Sequence, residues 1–292
     1  MRNALTIDVE DYFHVTAFEK CIARESWKTC TPRVEENTRA TLDLLDEFSL
    51  KGTFFVLGWV AECFPKLVRE ICDRGHELAC HGYGHQLIYA IGPDSFREDI
   101  RKSKTLLEDL GGRAVLGYRA PSYSITSKSM WALDILIEAG FTYDSSIFPV
   151  HHDIYGMPDA PRFPHTIHRD RGSIQEFPLT TLPIKVLGKE FRLPVAGGGY
   201  LRLLPVALLK HALIKINRQE KQPVVLYFHP WEIDPDQPKV PGAPLKSRFR
   251  HYVNLHKTRD KLRTLFAALP FGTMARCLEH ATGQGGSEQP QS

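Results

Sequence analysis

Three carboxylates fall within four residues at Asp8-Val-Glu10-Asp11. Like charges this close repel, so the cluster invites a bound cation or a raised pKa, unless it is only a solvated acidic turn. His81-Gly-Tyr-Gly-His85 sets two histidines at i and i+4, which face the same way on a helical turn and can grip one metal ion. Such pairs also arise by chance in a chain with 13 histidines. Arg119-Ala-Pro-Ser-Tyr-Ser124 offers a guanidinium that would keep a neighbouring carboxylate ionised, on a loop stiffened by Pro121 whose amides can meet an oxyanion. The alternative is a surface arginine beside a turn. Tyr143-Asp144-Ser-Ser146 either joins this set or caps loop backbone. Leu226-Tyr-Phe-His229-Pro-Trp231-Glu delivers a histidine to the end of an apolar run, at the same rim or in the core.

These groups need a scaffold that gathers them, and the chain supplies one. Short apolar runs alternate with helix-period segments, the pattern of βα units around a parallel sheet. Residues 4–9, 53–57, 77–80, 115–118, 141–143, 174–179 and 224–228 are predicted strands. Helices are expected from Thr31-Pro32 through Leu42, Leu45 and Phe48, over 65–74 before Gly75, over 205–217, over 259–269 and over 273–280. Ser95-Phe-Arg-Glu98 reads as a capping box for a helix ending at Gly111-Gly112, and Ser127 as the cap of one carrying Met130, Leu133 and Ile137. Residues 148–171 and 230–244 lack periodicity and read as long loops. Every chemical group above lies at the C-terminal end of a predicted strand, where α/β folds build sites. An irregular (β/α) barrel of about seven parallel strands fits best, with a doubly wound open sheet second.

The 292 residues carry 37 Lys+Arg against 34 Asp+Glu, a net +3, which builds no basic field for nucleic acid. Hydrophobic residues at 42% and aromatics at 10% exclude wholesale disorder. No apolar stretch is long enough to span a membrane. Acidic residues arrive at position 8, before any signal-like apolar stretch, so the expected location is cytoplasmic. The six cysteines form no CxxC pair and are expected to be reduced and mostly in the core. A single catalytic domain over 1–281 with a disordered polar tail over 282–292 is expected, and the oligomeric state stays open. The 205–217 helix faces either the core or a membrane surface.

Taken together, over roughly residues 4–232, these motifs resemble the polysaccharide deacetylase family, the NodB-homology deacetylases of carbohydrate esterase family four. The order is the family's: acidic motif, HxxxH, Arg-x-Pro, an Asp-bearing strand end, then Leu-x-x-His-Pro. Thr-Ile-Asp-Val-Glu-Asp-Tyr-Phe-His, His81-Gly-Tyr-Gly-His85-Gln and Gly197-Gly-Gly199-Tyr-Leu-Arg-Leu-Leu-Pro205 resemble members near the cytoplasmic peptidoglycan deacetylase and allantoinase-like subgroup and those of exopolysaccharide and exosortase loci. The resemblance implies a NodB-like barrel, Asp8 as general base, His229 as general acid, Arg119 holding the base, and His81 and His85 as metal ligands. It also implies the Ser122 amide as oxyanion donor. The family's adjacent aspartates are absent. Residues 8 and 10 share one side of an extended strand, and the subgroup's Asp-x-Asp spacing agrees, which favours Glu10 as the third ligand and leaves Asp11 open. The role of Asp144 is open as well.

The implied reaction is hydrolysis of a sugar N-acetyl group, assisted by a divalent metal, Zn²⁺. Tyr123 and Trp231 either stack on sugar faces or pack. The implied substrate is an N-acetylated glycan, or a lipid- or nucleotide-linked sugar precursor, in exopolysaccharide or cell-envelope synthesis. Two rivals stand beside it, an allantoinase-like amidohydrolase on a small amide and a metal-free carbohydrate-binding scaffold. A site enclosed by 148–171 favours the former, and an open groove favours a glycan.

Overall fold

In a computed structural model that describes residues 1–152, 154–186 and 189–281, the predicted strands assemble into one mostly parallel sheet. In chain order the elements are β1 (Asn3–Val9), α1 (Val34–Asp46), β2 (Thr53–Val56), α2 (Gly58–Cys63), α3 (Pro65–Asp73), β3 (Glu77–Cys80), α4 (Ile88–Gly111), β4 (Gly117–Tyr118), α5 (Trp131–Glu138) and β5 (Tyr143–Asp144). There follow β6 (His165–Arg169), β7 (Gly172–Glu176), β8 (Thr181–Val186), β9 (Lys189–Pro194), α6 (Gly198–Leu203), α7 (Val206–Lys215), β10 (Val225–Phe228), α8 (Leu245–Tyr252), α9 (Leu255–Phe266), β11 (Phe271–Gly272) and α10 (Met274–Ala281). Strand order is β10-β1-β2-β3-β4-β5-β7-β6, with β11 added beside the start of β1. The seven strands from β10 to β7 run parallel, and β6 pairs antiparallel at the edge.

The central strands β1, β2 and β10 are buried along their whole length because both of their faces are covered. Leu5, Ile7 and Val9 of β1, Phe54 and Val56 of β2, Leu78 and Cys80 of β3, and Leu226 and Phe228 of β10 share one core with helix residues such as Leu42, Val68, Phe96, Leu133 and Leu213. The intervening residues Ala4, Phe55, Ala79, Tyr143, Val225 and Tyr227 form a second cluster inside the curve of the sheet. This period-2 partition carries Asp8, His81, Arg119 and His229 to the mouth of the inner layer.

Strands β7 and β10 do not pair. Irregular chain fills the gap instead, with Phe177 donating to the Asp144 carbonyl at 2.9 Å, Val195 to Thr180 at 3.1 Å and Tyr227 to Ala196 at 2.7 Å. Gly197 is required there: its φ is +149°, and a Cβ would come within 1.8 Å of the Tyr227 carbonyl oxygen. Gly117 serves likewise on β4, where a Cβ would strike the Tyr143 ring at 2.0 Å. The barrel expectation holds, closed irregularly.

Several elements depart from the sequence reading. The chain before β7 is not all loop, since β6 lies within 148–171; its alternately exposed polar residues carry no apolar signal. The hairpin β8–β9 and helices α6 and α8 were not predicted. Ser95 does not start a helix, because α4 resumes at Pro93 after Gly92 leaves helical geometry at φ 75°. Helix α5 begins at Trp131 rather than beside Ser127. Helix α7 buries Leu209, Ala212 and Leu213, the core-facing alternative. All six cysteines are free, but only Cys72, Cys80 and Cys277 are buried, while Cys21 and Cys63 are exposed. The tail over 282–292 lies outside the described residues.

Candidate active site

Sheet register decides which residues meet. Ile7 pairs with Phe228, so the next residues, Asp8 and His229, stand side by side where the strands end. Cys80 pairs with Tyr118, which brings His81 beside Arg119. Glu10 follows two residues after Asp8 and keeps to its side. The segment from His81 to His85 is not the helical turn expected from its spacing. It is a loop with positive φ at Gly82 (72°) and His85 (49°). The half-buried Asp99 of α4 shapes that loop, accepting from Tyr83 N at 2.9 and 3.0 Å and from Gly84 N at 3.3 Å.

Ligand atoms of Glu10, His81 and His85 lie within 4.8 Å of one another, and all three residues are buried. His81 Nδ1 meets the Arg119 carbonyl at 2.8 Å. A carbonyl only accepts, so that nitrogen carries the proton and Nε2 presents its lone pair. Burial lowers the His81 pKa to about 4, which keeps the ring neutral. Glu10 Oε2 sits 2.7 Å from His85 Nε2, yet neither that oxygen nor His85 Nδ1 has a hydrogen-bond partner among the described residues. Burial would raise the Glu10 pKa, but His85, His229 and His81 hold it well below the usual carboxylate range. An anionic oxygen and two imidazole nitrogens converging in a buried place fit a divalent cation.

Asp11 is not part of this cluster. Its Oδ2 accepts from Arg33 N at 2.7 Å and Val34 N at 2.8 Å, and its Oδ1 from Tyr12 N at 2.8 Å. The carboxylate therefore satisfies amides that open α1 and have no partner within the helix, and the alternative of Asp11 as a ligand is corrected.

Asp8 is tied down by Arg119, whose Nη1 donates to Oδ1 at 2.7 Å and to Thr6 Oγ1 at 2.8 Å. The same guanidinium reaches the Ser145 carbonyl at 3.1 Å and Ser145 Oγ at 2.9 Å, and lies 4.2 Å over the Phe55 ring. It is wholly buried, which makes it a positioning group that substrate cannot touch. His229 points Nε2 toward Glu10 Oε1 at 3.5 Å and Asp8 Oδ2 at 4.0 Å. Its Nδ1 meets Glu232 Oε1 at 2.7 Å, and Glu232 Oε2 accepts from Arg202 Nε at 2.6 Å. Burial would lower the His229 pKa, but Glu10, Glu232 and Asp8 outweigh it and lift it to about 9. The ring is thus protonated at neutral pH, and at 18% side-chain exposure it is the part of this group that reaches solvent.

The aromatic residues pack. Trp231 is stacked between His229 (5.0 Å) and His251 (4.1 Å), and its Nε1 donates to Glu10 Oε1 at 3.3 Å. With both faces covered it cannot stack on a sugar. Tyr123 is buried edge-on against Phe148, Tyr155 and Tyr227, its hydroxyl 3.5 Å from Asp8 Oδ2. Ser122, at φ 50°, holds Thr16 Oγ1 with its hydroxyl at 2.7 Å. Asp144 stands outside the cluster. It accepts from Ser146 Oγ at 2.6 Å and pairs with the buried Glu176 of the neighbouring strand, shaping the loop that carries Ser145. Sequence reasoning missed Glu232, Arg202, Asp99 and Ser145. Only Glu232 had a local signal: His229 and Glu232 stand at N-cap and N3 of a turn opened by Pro230, a capping-box spacing.

Residues 26–143 match the family described as polysaccharide deacetylase. This segment of the chain is similar to polysaccharide deacetylases. Residues 145–279 match DUF3473, a domain of unknown function. Within the polysaccharide deacetylase match lie His81, His85 and Arg119; Asp8 and Glu10 precede it, and His229, Glu232 and Arg202 fall in the other match. Both segments therefore build one site on one sheet. A peptidoglycan deacetylase of Helicobacter pylori is 33% identical over 112 residues, 38% of this chain and 36% of that protein. The chain thus matches little more than a third of that relative's length. Among solved structures, a Mycobacterium smegmatis protein described as a polysaccharide deacetylase shares the fold at TM-score 0.65 and 21% identity, over 100% of this chain and 93% of that one. An allantoinase shares it at TM-score 0.60 and 13% identity, over 98% and 92%. Among the described residues no helix is long and apolar enough to cross a membrane.

Proposed function

We propose that the protein is a metal-dependent hydrolase that removes N-acetyl groups from an amino-sugar glycan. The observation that carries this is the placement of Asp8 and His229 beside the three-residue cluster of Glu10, His81 and His85. Glu10, His81 and His85 would hold a divalent cation, Zn²⁺, which when bound acidifies water and polarises the acyl oxygen. Asp8, fixed by Arg119, accepts the proton of the attacking water. His229, held by Glu232, gives a proton to the departing nitrogen, which its raised pKa equips it to do. The Ser122 amide would donate to the acyl oxygen as charge grows there, a contribution of roughly 3 kcal/mol when well aimed.

The peptidoglycan substrate named for the Helicobacter pylori relative supports a cell-envelope or exported glycan, or its precursor, as the class acted on. The test is acetate release from linear N-acetylglucosamine oligomers before and after chelation. The proposal expects release that a chelator abolishes and Zn²⁺ restores. Release from a small ureide but from no amino sugar would replace it with the amidohydrolase reading.

A further inference from the structure

Among the described residues, Leu245 at 81% and Phe249 at 61% are the most exposed of the large apolar side chains. They stand four residues apart on α8 and therefore on one side of it. The opposite side faces the protein, where His251 is buried with its ring 4.1 Å from Trp231. Leu245 and Phe249 thus form the outermost ridge of the helix. At 3.6 residues per turn, Lys246 and Arg250 fall on one flank of this ridge and Arg248 on the other. All three cations are exposed, α8 contains no acidic residue, and among the described residues none of the three has a carboxylate within 4.0 Å. Single exposed apolar residues are ordinary, but a paired ridge between unpaired cations marks an interaction surface.

The ridge is held firmly from behind. Val240 and Ala243 before the helix and Leu255 after it are buried in the cluster that contains Trp231 and Phe18. Arg202 donates from Nη1 to the Arg250 carbonyl at 2.7 Å and from Nε to Glu232 at 2.6 Å, so α8 is fastened to the group that also holds His229. An occupant has to satisfy both halves of this surface. A soluble anion would meet the cations and leave the ridge in water, and a wholly apolar groove would bury the ridge and leave the cations unpaired. An anionic lipid bilayer presents phosphates above an acyl layer and meets both at once.

We infer that the outer ridge of α8 docks the protein onto an anionic lipid bilayer, with Leu245 and Phe249 entering the boundary between headgroups and acyl chains while Lys246, Arg248 and Arg250 meet lipid phosphates. Docking brings the candidate site near the bilayer, since Trp231 alone separates the His251 ring from His229. It does not depend on the hydrolase reading, and its test needs no turnover. The protein is floated in density gradients with vesicles of phosphatidylcholine, pure or containing about 30 mol% phosphatidylglycerol, at about 0.1 M salt. The variants are Leu245→Ala, Phe249→Ala and the pair Arg248→Glu with Arg250→Glu. These side chains are all exposed, so circular dichroism and thermal unfolding of each variant should match wild type.

Wild-type protein should float with the phosphatidylglycerol vesicles and stay behind with pure phosphatidylcholine. Phe249→Ala should weaken binding about tenfold and Leu245→Ala about fivefold. The double charge reversal should weaken it by about 100-fold. Protein that floats with neither kind of vesicle, or equally with both, overturns the inference. So does flotation that the charge reversal abolishes while both apolar truncations leave it unchanged, because that is adsorption of a basic surface without entry of the ridge. Each of these results leaves the hydrolase reading untouched.

Discussion

His81 donates from Nδ1 to the main-chain carbonyl of Arg119 at 2.8 Å, and the guanidinium of that arginine holds Asp8 at 2.7 Å. One residue thus orients the proposed metal-ligating histidine through its backbone and the proposed base through its side chain. The two effects separate on mutation. Arg119→Lys keeps the carbonyl but lacks the fork that also binds Thr6 and Ser145. Metal stoichiometry should be unchanged while kcat falls about 100-fold at nearly constant KM. Loss of metal would show that the side chain, too, supports the cation site.

Asp11 and Glu10 are neighbours with opposite work. Asp11→Ala removes the acceptor of three backbone amides and should lower stability by about 1–3 kcal/mol in denaturant titrations, with metal content retained. Glu10→Ala should do the reverse, emptying the cation site at little cost to folding, since it also relieves a buried charge.

Trp231 reaches Glu10 with its indole N–H. Trp231→Phe keeps a stacked ring between His229 and His251 but loses that bond, and metal affinity should drop roughly 10–100-fold, as is usual for partners of ligands. A selective loss of sugar binding with unchanged metal affinity would instead favour the platform role.

The alkaline limb of kcat/KM reports the proton on His229, whose pKa Glu232 raises from its place 2.7 Å from Nδ1. Removing the Glu232 charge removes one of the influences that raise it. Glu232→Gln should therefore shift the limb to lower pH and reduce kcat. An unmoved limb would mean that another group is the acid.

Glu176 and Asp144 are fully buried carboxyls on adjacent strands. Burial above all, then the Asp144 charge, raises Glu176 well above the usual 4.5. A raised carboxyl pKa favours folding below the unfolded value and loses that contribution as pH climbs through the folded one. Glu176→Gln removes this loss, so the variant should gain stability relative to wild type as pH rises from 4.5 to 8, measured by urea unfolding at both ends. A pH-independent difference would contradict the raised Glu176 pKa.

The barrel and most of the cluster were legible because they rest on local signals. Apolar runs marked β1, β2, β3 and β10, and parity along β1 put Glu10 with Asp8. What was hidden depends on contacts between distant segments. Arg202 becomes the partner of Glu232 only when α6 packs behind β10, and Trp231 looked like a rim aromatic until His251 arrived to cover its second face. The hairpin β8–β9 does alternate, with Leu182, Ile184 and Val186 on one strand and Phe191 and Leu193 on the other, a signal that the sequence reading left unused, and β6 is a half-exposed edge. The pair His81 and His85 was found for a partly wrong reason, since a loop shaped by Asp99 aligns them, not a helical turn.

The most direct test of the account measures bound metal and acetate release together in wild type, His81→Ala and Asp8→Asn. The account predicts about one divalent ion per wild-type chain, its loss with activity in His81→Ala, and its retention without activity in Asp8→Asn. Wild-type protein that takes up no metal, or Asp8→Asn protein that still releases acetate at the wild-type rate, would contradict it.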